Sequence, residues 1–202
     1  MLLEQGKMYR FVWQDYSSCT STFRRIVSLK EQPLHTYSLG LSMALERNDS
    51  AVYYMNRAAE LSMMEKDTAQ AIFFLRNMME SQIYALNAYQ EAIHTAKRLI
   101  QENEHLRLKN NTLVESCYDC MTQSYLKMRK LDSAQYMLNK IDSMAQIMEY
   151  KHPHTQNVLS LYQALIDYTR DQRFDLTDMA QHNEILYEKL KDEQKNTYQL
   201  KG

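Results

Sequence analysis

The sequence predicts an all-α protein built from consecutive helical hairpins, and three observations support this fold class. Only 3 Gly and 2 Pro occur in 202 residues, whereas the many turns of a β-rich fold need more of both. Hydrophobic residues make up 45% of the chain and recur at the three- and four-residue intervals of amphipathic helices. A helix–turn–helix pattern also returns about every 42 residues. One hairpin cannot bury both of its apolar faces, so the pattern predicts a stack of about four to five hairpins.

The repeat is clearest in the second helix of each predicted hairpin. Ala51 follows an Asp-Ser pair, Ala134 follows the same pair, and Ala92 heads a similar helix between them. The two steps between these alanines are 41 and 42 residues, and a fourth copy is predicted at Leu176 or Thr177. A small side chain one turn into the second helix allows the first helix to pack closely. The spacing therefore predicts four equivalent helix pairs.

The boundaries of the other predicted helices follow from capping residues, helix-breaking residues and apolar periodicity. The first helices are predicted at 33–47, 68–86, 111–129 and 153–170, with Pro33 and Pro153 at helix starts. The repeat units are then approximately 33–66, 67–107, 108–150 and 151–192, followed by a partial C-terminal element up to residue 202. Residues 1–32 predict an irregular N-terminal hairpin or cap. Its turn is expected at Ser17–Thr22, because Ser and Thr are poor helix formers.

The residues at corresponding positions resemble tetratricopeptide repeats (TPR). In that family the first helix carries an aromatic residue, Leu-Gly and Tyr, and the second carries Ala, an aromatic residue or Met, and Ala. The period here is longer than the roughly 34 residues of that family. The first matching set is Leu39, Gly40, Met43, Ala51, Met55 and Ala58, and the second is Tyr118, Met121, Tyr125, Ala134, Leu138 and Ile141.

The resemblance implies a right-handed α-α superhelix whose first helices line a concave face. Such a face binds a peptide, a protein or another part of the same chain. The longer units look like the repeat regions of bacterial sensor and regulatory proteins, so the resemblance implies a non-enzymatic sensor or scaffold segment. The partner-binding positions carried over from the family are Tyr37, Asn77, Ser81, Tyr84, Asp119, Gln123, Lys127, Tyr162 and Arg170. The alternative function is structural, with copies of the chain pairing through the ends of the solenoid.

Charge and hydropathy narrow the class of partner. The 24 basic and 25 acidic residues nearly cancel, which argues against a nucleic-acid-binding segment because phosphate neutralisation needs a cationic face. No apolar run approaches the roughly 18 residues of a membrane span. The expected partners are therefore proteins or peptides, with a homo-oligomer as the alternative. The chain starts within an apolar pattern, so it is expected to be a segment of a longer parent, cytoplasmic or periplasmic and possibly membrane-bound.

The sequence contains only weak signals for catalysis, redox chemistry or metal binding. Cys117 and Cys120 form a C-x-x-C, which elsewhere is a redox pair or half of a zinc site. Here the pair falls inside a predicted amphipathic helix without further ligands, so packing cysteines are expected. His152 and His154 flank Pro153 before a helix start, which predicts a solvated turn. No catalytic motif is present, and the 3 Gly leave no phosphate-binding loop. The sequence thus predicts no enzymatic activity, no cofactor and no metal.

Overall fold

The computed structural model describes residues 2–10, 14–106, 109–147 and 153–171, and these ranges are helical without a strand. The all-α prediction is confirmed, and the four first helices end within two residues of their predicted ends. The predicted helix at Leu176 or Thr177 lies outside the described residues. The helices are α1 (Leu2–Met8), α2 (Tyr16–Leu29), α3 (Pro33–Leu45), α4 (Ser50–Met64), α5 (Thr68–Tyr84), α6 (Tyr89–Glu104), α7 (Asn111–Lys127), α8 (Leu131–Ile147) and α9 (Pro153–Asp171).

The chain forms two compact units, residues 1–124 and 125–202. In the first unit, each helix from α1 to α5 packs against the next one along the chain. In the second unit, α8 packs against α9. Ala134 and Leu138 of α8 form a core with Tyr162 and Ile166 of α9. Packing in chain order keeps most contacts local, as expected for consecutive hairpins.

The predicted turn at Ser17–Thr22 is wrong, because this segment lies inside α2. The helix begins directly after Asp15, whose carboxylate Oδ1 accepts a hydrogen bond from the backbone N–H of Ser18 at 3.0 Å. Thr20 is buried and donates its hydroxyl to Ser42 Oγ of α3 at 3.0 Å. The cap and this interhelical hydrogen bond offset the weak helix propensity of the segment.

Three turns that join first to second helices each contain one residue with a left-handed backbone conformation. Arg47, Asn87 and Arg129 have φ values of 58°, 55° and 56° at the ends of α3, α5 and α7. After Arg47 and after Arg129, the next backbone N–H donates to the carbonyl five residues earlier, at 2.9 Å in both turns. This is the Schellman helix ending, which usually carries Gly at the left-handed position. Two of the three turns therefore share this ending, and neither contains a glycine.

The second helices share one buried register, in which positions i, i+4 and i+7 face inward. None of these nine side chains is more than 3% exposed. The residues are Ala51, Met55 and Ala58 in α4, Ala92, Ala96 and Leu99 in α6, and Ala134, Leu138 and Ile141 in α8. The three alanines that define the sequence period thus occupy equivalent buried positions.

One contact of the first helices depends on glycine. A Cβ atom on Gly40 of α3 would lie 2.6 Å from Met55 Cγ and 3.0 Å from the Ala51 carbonyl oxygen of α4. Real Cβ atoms do not approach other atoms so closely, and the backbone oxygen cannot move independently. The Leu39-Gly40 pair of the sequence therefore marks the closest approach of α3 to α4.

Candidate functional site

Helices α3 and α5 of the first unit carry adjoining aromatic side chains. Tyr37 of α3 stacks on Phe74 of α5, with ring centroids 4.5 Å apart, and its centroid lies 5.8 Å from that of Phe73. Beside this stack Leu34 is 51% exposed and Phe73 52% exposed. Tyr84 is 65% exposed and lies eleven residues after Phe73, on the same stripe of α5. We name this surface the aromatic face, and it consists of Leu34, Tyr37, Phe73, Asn77 and Tyr84.

A hydrogen-bonded edge links α5 to α7 within the first unit. The Tyr84 hydroxyl donates to Gln123 Oε1 at 2.9 Å, and Gln123 Nε2 donates to Asp119 Oδ2 of its own helix at 3.1 Å. Burial raises the pKa of Tyr84, so its phenol stays protonated and remains a donor at neutral pH. The structure thus brings together three of the predicted binding residues, two helices apart in sequence.

The other predicted positions in the first unit are more constrained. Tyr37 is only 7% exposed, so its ring mainly packs α3 against α5. The half-buried Asn77 donates its amide to the Phe73 carbonyl of its own helix at 2.7 Å. Ser81 is also half-buried. These three side chains support the aromatic face and present less free surface than Phe73.

The predicted positions in the second unit have unlike environments. Tyr162 is 9% exposed and belongs to the core between α8 and α9. Arg170 pairs with the Asp132 carboxylate, with Nη2 and Oδ1 3.0 Å apart. Lys127 is exposed at the end of α7. In this unit Lys127 and Arg170 are therefore exposed, whereas Tyr162 is not.

Sequence reasoning missed Leu34 and Phe73, although a signal for Phe73 was available. Phe73 and Phe74 are adjacent, and neighbouring residues of a helix point about 100° apart. Only one of the two rings can therefore occupy the inward stripe. Phe74 is 1% exposed and fills the core, which leaves Phe73 on the surface.

The C-x-x-C pair lies in α7 within the first unit, and both cysteines are buried and free. Burial raises the pKa of the Cys117 thiol to about 12, and burial together with the Asp119 carboxylate also raises the pKa of Cys120. Both thiols are therefore protonated at neutral pH, whereas nucleophilic or metal-binding cysteines need the thiolate. This environment favours packing. His152, of the predicted His-Pro-His turn, lies outside the described residues.

Comparison with known proteins adds no family assignment. No protein-family model, no curated protein and no solved structure matches this chain significantly. Within the ranges that the structure describes, no helix is long and apolar enough to cross a membrane, and no three His, Cys, Asp or Glu side chains are placed to hold a metal ion. What the fold defines is a class: an all-α protein whose helices pack in chain order.

Proposed function

We propose that this chain is a non-enzymatic module that binds a protein or peptide through the first helices of a TPR-like, right-handed superhelix. In this proposal it is the sensor or scaffold segment of a larger, bacterial signalling or regulatory protein. The observation that carries the proposal is the aromatic face. Its exposed Phe73 and Tyr84 lie on first helices, where the tetratricopeptide resemblance locates ligand binding. Tyr is also enriched at the energetic centres of protein interfaces.

The chemistry of the surface indicates what kind of peptide it takes. Exposed Phe73 and Leu34 offer contact area for an apolar side chain. Asp119 and Glu80 place carboxylates near Tyr84, since both contribute to raising its pKa. Glu80 is also paired with Arg76 at 3.1 Å. The expected ligand is therefore a segment with an aromatic or aliphatic residue followed by a Lys or Arg.

A random peptide library displayed on phage tests the proposal. Peptides that the unaltered chain enriches would be synthesised, and their dissociation constants measured by fluorescence anisotropy. The variant Phe73→Ser plus Tyr84→Ser is expected to weaken binding at least about tenfold, as for removal of interface centres. Binding is also expected to weaken when the Lys or Arg of the peptide is replaced by Glu.

Tyr53→Ser provides the matched control. Tyr53 is 67% exposed, close to the 65% of Tyr84, but it lies on the second helix α4. This variant should bind the selected peptides as the unaltered chain does. Peptides that bind both variants equally well, or a library that yields no enriched peptide, would contradict the proposal.

The second candidate function is association between copies of the chain through the solenoid ends. It is favoured by α9, where Leu161 is 44% and Tyr168 43% exposed, seven residues apart on one helical stripe. Light scattering over a hundredfold concentration range distinguishes the two functions. A mass that rises with concentration and falls back in Leu161→Ser supports association. A constant monomer mass removes it.

A further inference from the structure

A second surface of the first unit is a cleft between α4 and α6, with α5 at its base. Its volume is about 550 Å³, within the usual range of small-ligand sites. Gln82 of α5 lies nine residues after Phe73, which places the two on opposite sides of the helix. The cleft is therefore separate from the aromatic face. Its lining residues are Val52, Asn56, Met78, Gln82, Gln90, Glu91, His94, Thr95 and Arg98.

Gln82 brings a side-chain amide to the base of the cleft. It is 2% exposed, and its Oε1 accepts a hydrogen bond from the Thr95 hydroxyl of α6 at 2.9 Å. Gln82 also lines the cleft, and its Nε2 is not among the buried polar atoms that lack a partner in the described part of the chain. The amide N–H groups therefore face the solvent of the cleft, where they can donate to an acceptor that enters it.

Arg98 supplies a cation beside this amide. Its Nη1 donates to Asn56 Oδ1 of α4 at 2.8 Å, which holds the guanidinium across the cleft. A guanidinium has five N–H donors, so others remain for a ligand. Arg98 lies three residues after Thr95, on the same side of α6, and Thr95 bonds Gln82. The amide and guanidinium donors are thus within about one helical turn of each other.

We propose that the cleft is a carboxylate-binding site, with Arg98 and Gln82 donating to the carboxylate oxygens. Arg pairs with carboxylates through short, charge-assisted hydrogen bonds. Val52 and Met78 provide an apolar wall for the stem that carries the carboxylate. The other ionisable groups of the cleft are Glu91 and His94, which are exposed on α6. The carboxylate belongs either to the C-terminus of a peptide or to a small organic acid.

Titrations of the ¹⁵N-labelled chain followed by NMR test this site with three probes. N-acetyl-Ala-Leu supplies a peptide terminus, hexanoate a free organic acid, and N-acetyl-Ala-Leu-amide the same peptide without the charge. The acid peptide, hexanoate or both should produce saturable shifts of the backbone amides around the cleft. A preference for the acid peptide assigns the site to chain termini, and a preference for hexanoate assigns it to organic acids. The amidated peptide should bind at least about tenfold more weakly than the acid.

The variants Arg98→Met and Gln82→Met remove the donors and keep the side-chain bulk. In Gln82→Met the Thr95 hydroxyl can donate its single proton to the Glu91 carbonyl, which lies 3.1 Å away. The fold should therefore be preserved, and unchanged melting temperatures would verify this. Each variant should lower the affinity of the chain for the bound acid about tenfold. Arg76→Met, on α5 outside the cleft, is the matched control and should bind normally.

Several outcomes would overturn the site. These are the absence of saturable shifts with either acid, equal binding of the amidated peptide, and full affinity in folded Arg98→Met. Phe73→Ser separates this site from the proposed function. This variant should weaken peptide binding at the aromatic face and leave binding of the acids at the cleft unchanged.

Discussion

The second helices of this protein resemble one another more closely than the first helices do. In α4, α6 and α8 the same i, i+4, i+7 register is buried, with Ala at the first position each time. Among the first helices, α3 carries Gly40 against α4, α5 carries the buried Gln82, and α7 carries two buried cysteines. The repeat period is thus a property of the second helices, whereas the aromatic face belongs to the first helices.

The difference has a physical cause. Ala51, Ala92 and Ala134 are each at most 1% exposed, and a larger side chain at such a buried position would be overpacked. The first helices also contact the preceding hairpin, and their outer stripes remain free to vary. Helix α5 carries aromatic residues on one side and forms the base of the cleft on the other. Four predictions test this division.

Two predictions share the largest expected effect, and the first is Gly40→Val. The new side chain would meet the Met55 side chain and the backbone of α4, so α3 and α4 must separate. We expect a loss of about 3 kcal/mol in the free energy of unfolding, measured by urea denaturation. Leu45→Val on the same helix, where Leu45 is 40% exposed, should cost far less. Equal losses in the two variants would contradict the close-approach interpretation.

The shared register is tested by truncating one equivalent side chain in each unit. Leu99 of α6 is 0% and Ile141 of α8 is 1% exposed. Leu99→Ala and Ile141→Ala are each expected to lower the free energy of unfolding by about 2–4 kcal/mol, because each leaves a cavity. A loss below about 1 kcal/mol in either variant would show that the two positions are not equivalent.

The buried thiols of α7 predict that the free energy of unfolding falls at alkaline pH. The folded-state pKa of Cys117, about 12, lies above its ordinary value of 9.0. Above pH 9 the unfolded chain releases this proton and the folded chain retains it, so the stability contribution is complete below pH 9 and is lost as pH rises toward 12. The loss from Cys117 between pH 7 and pH 10 should be about 1.4 kcal/mol.

Urea denaturation at several pH values checks this prediction. Cys117→Ala should be less stable than the unaltered chain at pH 7, because the truncation leaves a small cavity. Its stability should then fall less steeply above pH 9. Parallel pH dependences of the two proteins would contradict the raised pKa.

The smallest expected effect concerns the shared turn. Arg47 adopts a left-handed backbone conformation that is unfavourable for residues with a Cβ atom. Arg47→Gly should stabilise the fold by about 0.5 kcal/mol, seen as a higher urea midpoint. Asn87→Gly should gain less, because Asn tolerates this conformation. A larger gain at Asn87 than at Arg47 would contradict this explanation.

Sequence reasoning located most helices of the described ranges because apolar periodicity, Pro at helix starts and capping residues are local signals. It failed at Ser17–Thr22, where Thr20 gains a partner on α3 that no local pattern reveals. For the site, it selected Tyr84, Asp119 and Gln123 through a family resemblance, and these side chains form one hydrogen-bonded edge. It also selected Tyr162, which is a core residue. Tyr84 and Tyr162 are both tyrosines on first helices, and they differ in that Tyr84 is exposed and Tyr162 is buried.

The sequence by itself determined the all-α fold class, most of the helix positions and the recurrence of Ala51, Ala92 and Ala134, because these depend on spacing along one chain. Only the tertiary structure decided which outward residues meet across helices. It brought Tyr37 against Phe74, placed Tyr84 beside Gln123, and gathered Gln82, Thr95 and Arg98 around one cleft. Such contacts depend on the angle and separation of neighbouring helices, which the packing of many side chains sets together.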